Sequence, residues 1–152
     1  MIDHGGADVA VGEADGFECR ALHAVRAGDE IRWHYGPHSN ARWLAGYGFA
    51  VAGNPDDEAT IRLGDGDQTV VFPVGARIDA RFTRALAHAR RLCGDDTRAL
   101  VALADAAEVG LELLARPVIA AGDDDWRRAC EIVRAGERAV LERVGANARA
   151  AR

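Results

Sequence analysis

Lysine is absent: all 19 basic residues of the 152-residue chain are arginine. The chain presents no side-chain amine of its own for modification, an arginine bias that a GC-rich coding sequence also produces. Cysteine is scarce, with Cys19, Cys93 and Cys130 far apart and no Cys-x-x-Cys pair. An odd, dispersed set argues against a disulfide framework or a structural zinc site, and is expected to be reduced and mostly buried. No apolar run approaches the roughly 18 to 20 residues that cross a bilayer, and Met1-Ile2-Asp3-His4-Gly5-Gly6 has neither the basic nor the apolar segment of a secretory signal. The expected location is intracellular, cytoplasmic by default, with plastid or nucleus open. Internal repeats and low-complexity tracts are missing as well.

A composition of 49% hydrophobic and 28% charged residues belongs to a soluble globular chain, long enough for one domain or two small lobes. The net charge of −5 is uneven. Up to Ala59 ten acids face four arginines, a balance of −6, whereas the remainder is balanced at +1. An acidic front half attracts a basic peptide and repels nucleic acid, or is simply a solvated face. Neither nucleic acid nor membrane is expected as a partner.

Residues 3–16 are rich in Gly and Asp and read as a loop with at most one small strand, at Val9 and Val11. Phe17 to His23 alternates with period two, Arg26-Ala27-Gly28-Asp29 is a turn in which Gly28 takes a positive φ, and Glu30 to Tyr35 resumes as a second strand. Ser39 is placed to cap a helix that carries Ala41, Trp43, Leu44 and Tyr47 on one face and ends at Gly48. Asn54-Pro55-Asp56-Asp57 is a strong turn, and residues 59–63 and 69–72 flank a Gly-Asp-Gly-Asp connection as a hairpin. Three helices follow. Asp79 caps the first, with Phe82, Leu86, Ala89 and Leu92 on its apolar face; Asp96 or Thr97 caps the second, striped by Leu100, Leu103, Ala104, Ala107, Leu111 and Leu114. Asp123-Asp124-Asp125 opens the third where the helix dipole favours negative charge, and Trp126, Cys130, Val133, Val140, Leu141 and Val144 form its stripe.

The densest chemistry lies in Gly28-Asp29-Glu30-Ile31, Tyr35-Gly36-Pro37-x-Ser39-Asn40, Tyr47-Gly48-Phe49 and Asn54-Pro55-x-Asp57. In order and spacing these four pieces resemble the C-terminal part of a SET domain of the Rubisco large-subunit methyltransferase-like class. The resemblance covers about residues 1 to 60, and the helical remainder by position and pattern. It implies an α+β fold, with a C-terminal SET-like part over 1–55 and a helical substrate-binding-like domain over 56–152. The family also carries an apolar pair followed by Asn-His ahead of these strands. His4 matches that histidine, and Asp3 stands where asparagine is usual. Asp3 lacks the amide donor of asparagine but attracts a sulfonium or an amino group; it equally suits a simple turn.

The resemblance further implies S-adenosylmethionine as cofactor, Asp3 and His4 near it, Tyr35 as the catalytic tyrosine, and Tyr47 beside the substrate. Methyl transfer to an amine needs a deprotonated nucleophile aligned with the methyl in a dry channel, and a phenol oxygen can orient both. Without the motif, Tyr35 reads as a strand-end core aromatic, Tyr47 as a helix-face packing residue and Phe49 as core. His34 and His38 have the i, i+4 spacing of helical metal ligands, but Gly36-Pro37 interrupts any helix between them and no further ligand completes a set, so no metal is expected. Cys19 with His4 or His23 has no signature of a thiol nucleophile. The leading function is therefore a SET-type protein-lysine N-methyltransferase acting on a lysine-bearing protein, with histidine methylation as a variant. The family's glycine-rich N-terminal half has no counterpart here. That implies a fragment, a split protein completed by a second chain, or a non-catalytic protein-binding module derived from a methyltransferase.

Overall fold

The computed structural model describes residues 8–13, 17–33, 35–64, 70–75, 80–117 and 122–151. The chain is α+β, and its contacts divide it into two units, Met1–Pro37 and His38–Arg152.

In the first unit, β1 (Val9–Glu13) and β2 (Phe17–Ala21) form an antiparallel hairpin that pairs Val9 with Ala21 and Val11 with Cys19. The expected second strand over Glu30–Tyr35 is not the partner of β2. Alternation marks a segment as extended but does not name its neighbour. The partner only three residues away in the chain closes the shorter loop. Among the described residues, 30–35 carries no strand; it is held instead through Asp8, whose N–H donates to the Arg32 carbonyl at 2.9 Å. Gly28 adopts φ 93° in the expected turn. Cys19 is exposed, and Cys93 and Cys130 are half-buried, so the thiols are less buried than their residue type suggested. A two-stranded hairpin has two faces and too little chain to cover both.

The second unit begins with α1 (Asn40–Tyr47), which ends at Gly48 with φ 79°, its N–H returning to the carbonyls of Trp43 and Leu44. This left-handed close is the one expected of a glycine there. Trp43 is buried, but Ala41 and Tyr47 are exposed, so the helix seats on a different stripe from the apolar one. Its second buried residue is Asn40.

Strands β3 (Glu58–Leu63) and β4 (Val70–Gly75) form the expected hairpin, and Ala59, Ile61 and Leu63 point inward on one face. Helices α2 (Ala80–Cys93), α3 (Asp96–Ala115) and α4 (Asp124–Ala150) pack against that face. Asp79 lies outside the described residues. The α3 cap is Asp95, one residue earlier than expected, and its carboxylate accepts from Arg98 N–H; Asp123 does the same for Trp126 N–H at the start of α4. Leu100, Leu103, Ala104 and Ala107 meet Val140, Leu141, Val144 and Ala148 in one core with Phe82, Ala85 and Ala89. Trp126 and Leu92, expected on apolar faces, are exposed near helix ends. Where α3 and α4 cross, a Cβ on Gly110 would lie 2.9 Å from Leu141 Cδ1, which fixes a close approach of the two helices. Arg134 on α4 donates to the carbonyls of Leu114 and Arg116, closing the C-terminal end of α3.

Candidate functional site

Of the residues singled out by sequence, Asp3, His4 and His34 lie outside the described residues. Tyr35 is half-buried in the first unit, and its ring stacks on Trp33 with centroids 5.8 Å apart and planes 11° from parallel. Tyr47, in the second unit, is 55% exposed, with its ring tilted towards Phe49 at 6.2 Å. Phe49 is half-buried and stacks on buried Trp43 at 5.7 Å. Trp43, Tyr47 and Phe49 thus form an aromatic cluster around the end of α1, with Tyr47 on its solvent side.

The motif residues Asn40, Asn54 and Asp57 form one buried polar junction inside the second unit. Ser39 occupies the position before α1 but makes no side-chain cap. Asp57 supplies the acceptor instead, from 17 residues downstream: its Oδ1 takes Asn40 N–H at 2.7 Å and its Oδ2 takes Asn40 Nδ2 at 2.8 Å. The Asn40 amide also donates to Val51 O at 2.9 Å and accepts from Val51 N–H at 2.7 Å. Asn54 Nδ2 reaches His38 O at 2.9 Å and Asp57 Oδ1 at 3.2 Å, while Asn54 Oδ1 accepts from Asp56 N–H. Asn40, Asn54 and Asp57 are all buried, and the Asp57 carboxylate has no ion pair among the described residues. A buried carboxylate held only by neutral donors is stable because each hydrogen bond to a charge is strong. The junction pins the start of α1, the 49–51 segment and the 54–57 turn into one body. Ser-Asn and Asn-Pro-x-Asp are legible in sequence as a helix start and a turn; that they meet is not.

Helix α4 closes over this junction. A Cβ on Gly136 would fall 2.0 Å from Asp57 Oδ2, so glycine is what lets α4 lie against the carboxylate. Burial, and then the negative charge of Asp57, raise the adjacent Glu137 carboxyl above its ordinary range, and Arg134 only partly offsets them.

A second charged cluster, unmarked by any motif, sits in the first unit. Asp8 is buried and takes Arg32 Nε at 3.0 Å and Arg32 N–H at 2.9 Å, while its Oδ1 lies 2.8 Å from His23 Nε2. The Arg32 side chain, then its backbone N–H, and then His23 hold the Asp8 carboxyl down at about 2 against the opposing effect of burial. The cluster borders a polar hollow of about 340 Å³ that Asp29 and Glu30 also line. It ties the Glu30–Tyr35 segment, and so Tyr35, to the start of β1.

No group of three or more His, Cys, Asp or Glu side chains among the described residues is arranged to hold a metal ion. No helix among them is long and apolar enough to cross a membrane.

No protein-family model matches the chain. Over 69 residues it is 36% identical to the actin-histidine N-methyltransferases of Homo sapiens, Mus musculus and Canis lupus familiaris. The matched stretch is 45% of this chain and 12% of each relative, so the chain spans only a small part of their length. The similarity is partial and distant, and it is to a protein methyltransferase.

Proposed function

We propose that this chain carries the C-terminal part of a SET-type site that transfers a methyl group from S-adenosylmethionine to a side-chain nitrogen of a protein. The observation that carries the reading is the 36% identity over 69 residues to enzymes named for N-methylation of actin histidine. The resemblance of the Tyr35, Asn40, Tyr47 and Asn54-to-Asp57 pieces to the Rubisco methyltransferase-like class supports it. Lysine is the acceptor that this class suggests, and the names of the relatives put histidine beside it. Both are nitrogen nucleophiles that react only when neutral and in line with the methyl group.

S-adenosylmethionine supplies the methyl group on a sulfonium cation. The described residues that fit such a cation are Trp33 and Tyr35, whose parallel rings offer negative π faces; Asp3 and His4 complete the proposed set by resemblance. Tyr35 has a hydroxyl able to orient the acceptor nitrogen, and the Asp8–Arg32 tie holds its segment in place. By the same resemblance Tyr47, exposed at the end of α1, is the residue that meets the acceptor protein.

A second reading, a protein-binding module without catalysis, is favoured by one observation: Asn40, Asn54 and Asp57 are engaged in bonds within the protein. Calorimetry of the folded chain with S-adenosylmethionine separates the two. Saturable heat that Tyr35→Ala and Trp33→Ala both weaken supports the methyltransferase reading. A chain that is folded by its NMR spectrum yet silent at millimolar S-adenosylmethionine overturns it in favour of the binding module.

A further inference from the structure

We infer that the outer edge of β3 receives an extended segment of a partner polypeptide as an added strand, laid over an exposed apolar stripe of α3. Among the described residues β3 pairs with β4 alone, and Thr60 stands opposite Pro73. Proline has no N–H, so Thr60 and Pro73 cannot exchange the two hydrogen bonds of a directly bonded antiparallel pair. The ladder bonds of β3 therefore belong to Ala59, Ile61 and Leu63, and the main-chain N–H and C=O groups of Thr60 and Arg62 point away from β4. Those groups carry no hydrogen bond among the described residues. At the other edge of the hairpin Pro73 itself holds an outward position, where it offers no donor, so β3 is the edge open to addition.

The surroundings of that edge suit a strand. Thr60 and Arg62 are exposed and border, together with α3, a hollow of about 650 Å³. Its floor is one face of α3, with Ala102, Ala106 and the exposed Val109 and Leu113. From Ala102 to Leu113 this stripe runs about 16 Å, the length of about five residues of strand. In antiparallel addition, the residues opposite Thr60 and Arg62 pair through the main chain and turn their side chains outward, while those between them rest on the stripe. The segment that fits is therefore apolar at alternate positions. Arg62 and Asp105, the charged residues that line the hollow, have opposite signs, so main-chain pairing and apolar alternation make the selection and net charge does not. A second copy of this chain fits poorly, because α3 overhangs the edge. Two β3 strands joined antiparallel at about 4.8 Å would bring two α3 helices on one face of the sheet closer than the roughly 8 Å that packed helices need. The edge and the stripe lie in the second unit, and neither supplies a residue of the proposed methyl-transfer set.

A capped heptapeptide of alternating valine and threonine, titrated into the 15N-labelled chain, tests it. In the free chain the amides of Thr60 and Arg62 should exchange with solvent faster than those of Ile61 and Leu63. With the peptide they should become protected, and the amides of Ala106 and Val109 should shift to saturation. Two isomers of the peptide, N-methylated at the valines only or at the threonines only, separate main-chain pairing from apolar contact. One should lose binding and the other keep it, and antiparallel addition assigns the loss to the threonine isomer. Val109→Asp, at an exposed position, sets a charge beneath the added strand and should weaken binding by about tenfold or more while the spectrum of the free chain is otherwise retained. Equal affinity of the two isomers, or an affinity indifferent to Val109→Asp, would overturn the inference. So would protection of Thr60 and Arg62 without peptide in a chain that sediments as a dimer, which would make a second copy the occupant.

Discussion

Asp57 grips Asn40 twice, at the backbone N–H by Oδ1 and at the side-chain amide by Oδ2, with distances of 2.7 and 2.8 Å. A carboxylate 17 residues downstream thereby does the capping that Ser39 does not. The start of α1 is fixed by tertiary structure, and the aromatic end of the helix inherits that placement.

Asn40→Ala is expected to destabilise the chain by about 3 kcal/mol. It leaves Val51 N–H, Val51 O and Asp57 Oδ2 short of a partner in a buried place, at about 1–3 kcal/mol each before water recovers part of the loss. Urea unfolding measures it. A loss under about 0.5 kcal/mol, the ordinary range of a surface substitution, would show that the junction carries no stability.

Two glycines on helices should respond with opposite signs to alanine. At Gly136 the new methyl would meet Asp57 Oδ2 at 2.0 Å, an atom held by the Asn40 amide. Overpacking of that kind costs about 1–3 kcal/mol and outweighs the helix-propensity gain of at most about 1 kcal/mol. At Gly46 in α1 a Cβ meets nothing within 4 Å, so Gly46→Ala keeps the propensity gain and raises stability by a few tenths to about 1 kcal/mol. Thermal unfolding of the two variants side by side checks the sign at each site.

Glu137 has a pH signature. Its folded-state value lies above the ordinary 4.5, from burial first and the Asp57 charge second. The folded chain therefore holds this proton more tightly than the unfolded one. The associated stability is fully present below the ordinary value and is lost as pH rises through the raised folded value. Glu137→Gln removes that loss. Its melting temperature should exceed that of the parent at pH 7, and the gap should close towards pH 4; a gap independent of pH would contradict the assignment.

Asp8 behaves in the opposite sense. Its carboxyl lies at about 2 in the fold against an ordinary 3.8. The associated stability is present above 3.8 and is lost as pH falls through about 2. Carboxyl-carbon NMR of Asp8 should titrate near 2. Arg32→Gln should move the midpoint up towards 3.8 by more than His23→Gln does, because the Arg32 contacts are the larger cause. A midpoint unchanged in Arg32→Gln would sink this account of the cluster.

The helical half was open to reading from sequence because its signals are local. The Leu100–Leu103–Ala107 stripe and the Gly48 ending each depend on residues within a turn or two of helix. Even there, Asp95 takes the cap that Asp96 or Thr97 seemed to offer, since cap choice depends on backbone angles that adjacent acids leave undetermined. The β pairing of the first unit was not legible, because alternation at Glu30–Tyr35 shows an extended segment and not its partner. The candidate site divides along the same line. Tyr35 could be named from its motif, and it stacks on Trp33. The contacts of Asn40 with Asp57 and of Asp57 with Gly136 bring together residues 17 and 79 positions apart, and no local pattern encodes such meetings. Tyr47 shared an apparent helix face with Trp43, yet α1 seats on Asn40 and Trp43, which leaves Tyr47 towards solvent.

Methyl transfer tests the central claim most directly. The chain, incubated with S-adenosylmethionine labelled in its methyl group and a mixture of folded proteins, is followed by mass spectrometry at lysine and histidine side chains. The account predicts label on a lysine or histidine nitrogen, with a rate that Tyr35→Phe lowers by about tenfold to a hundredfold, the scale of a positioned polar group at a reaction centre. Label on neither residue type, or a rate that Tyr35→Phe leaves unchanged, would contradict it.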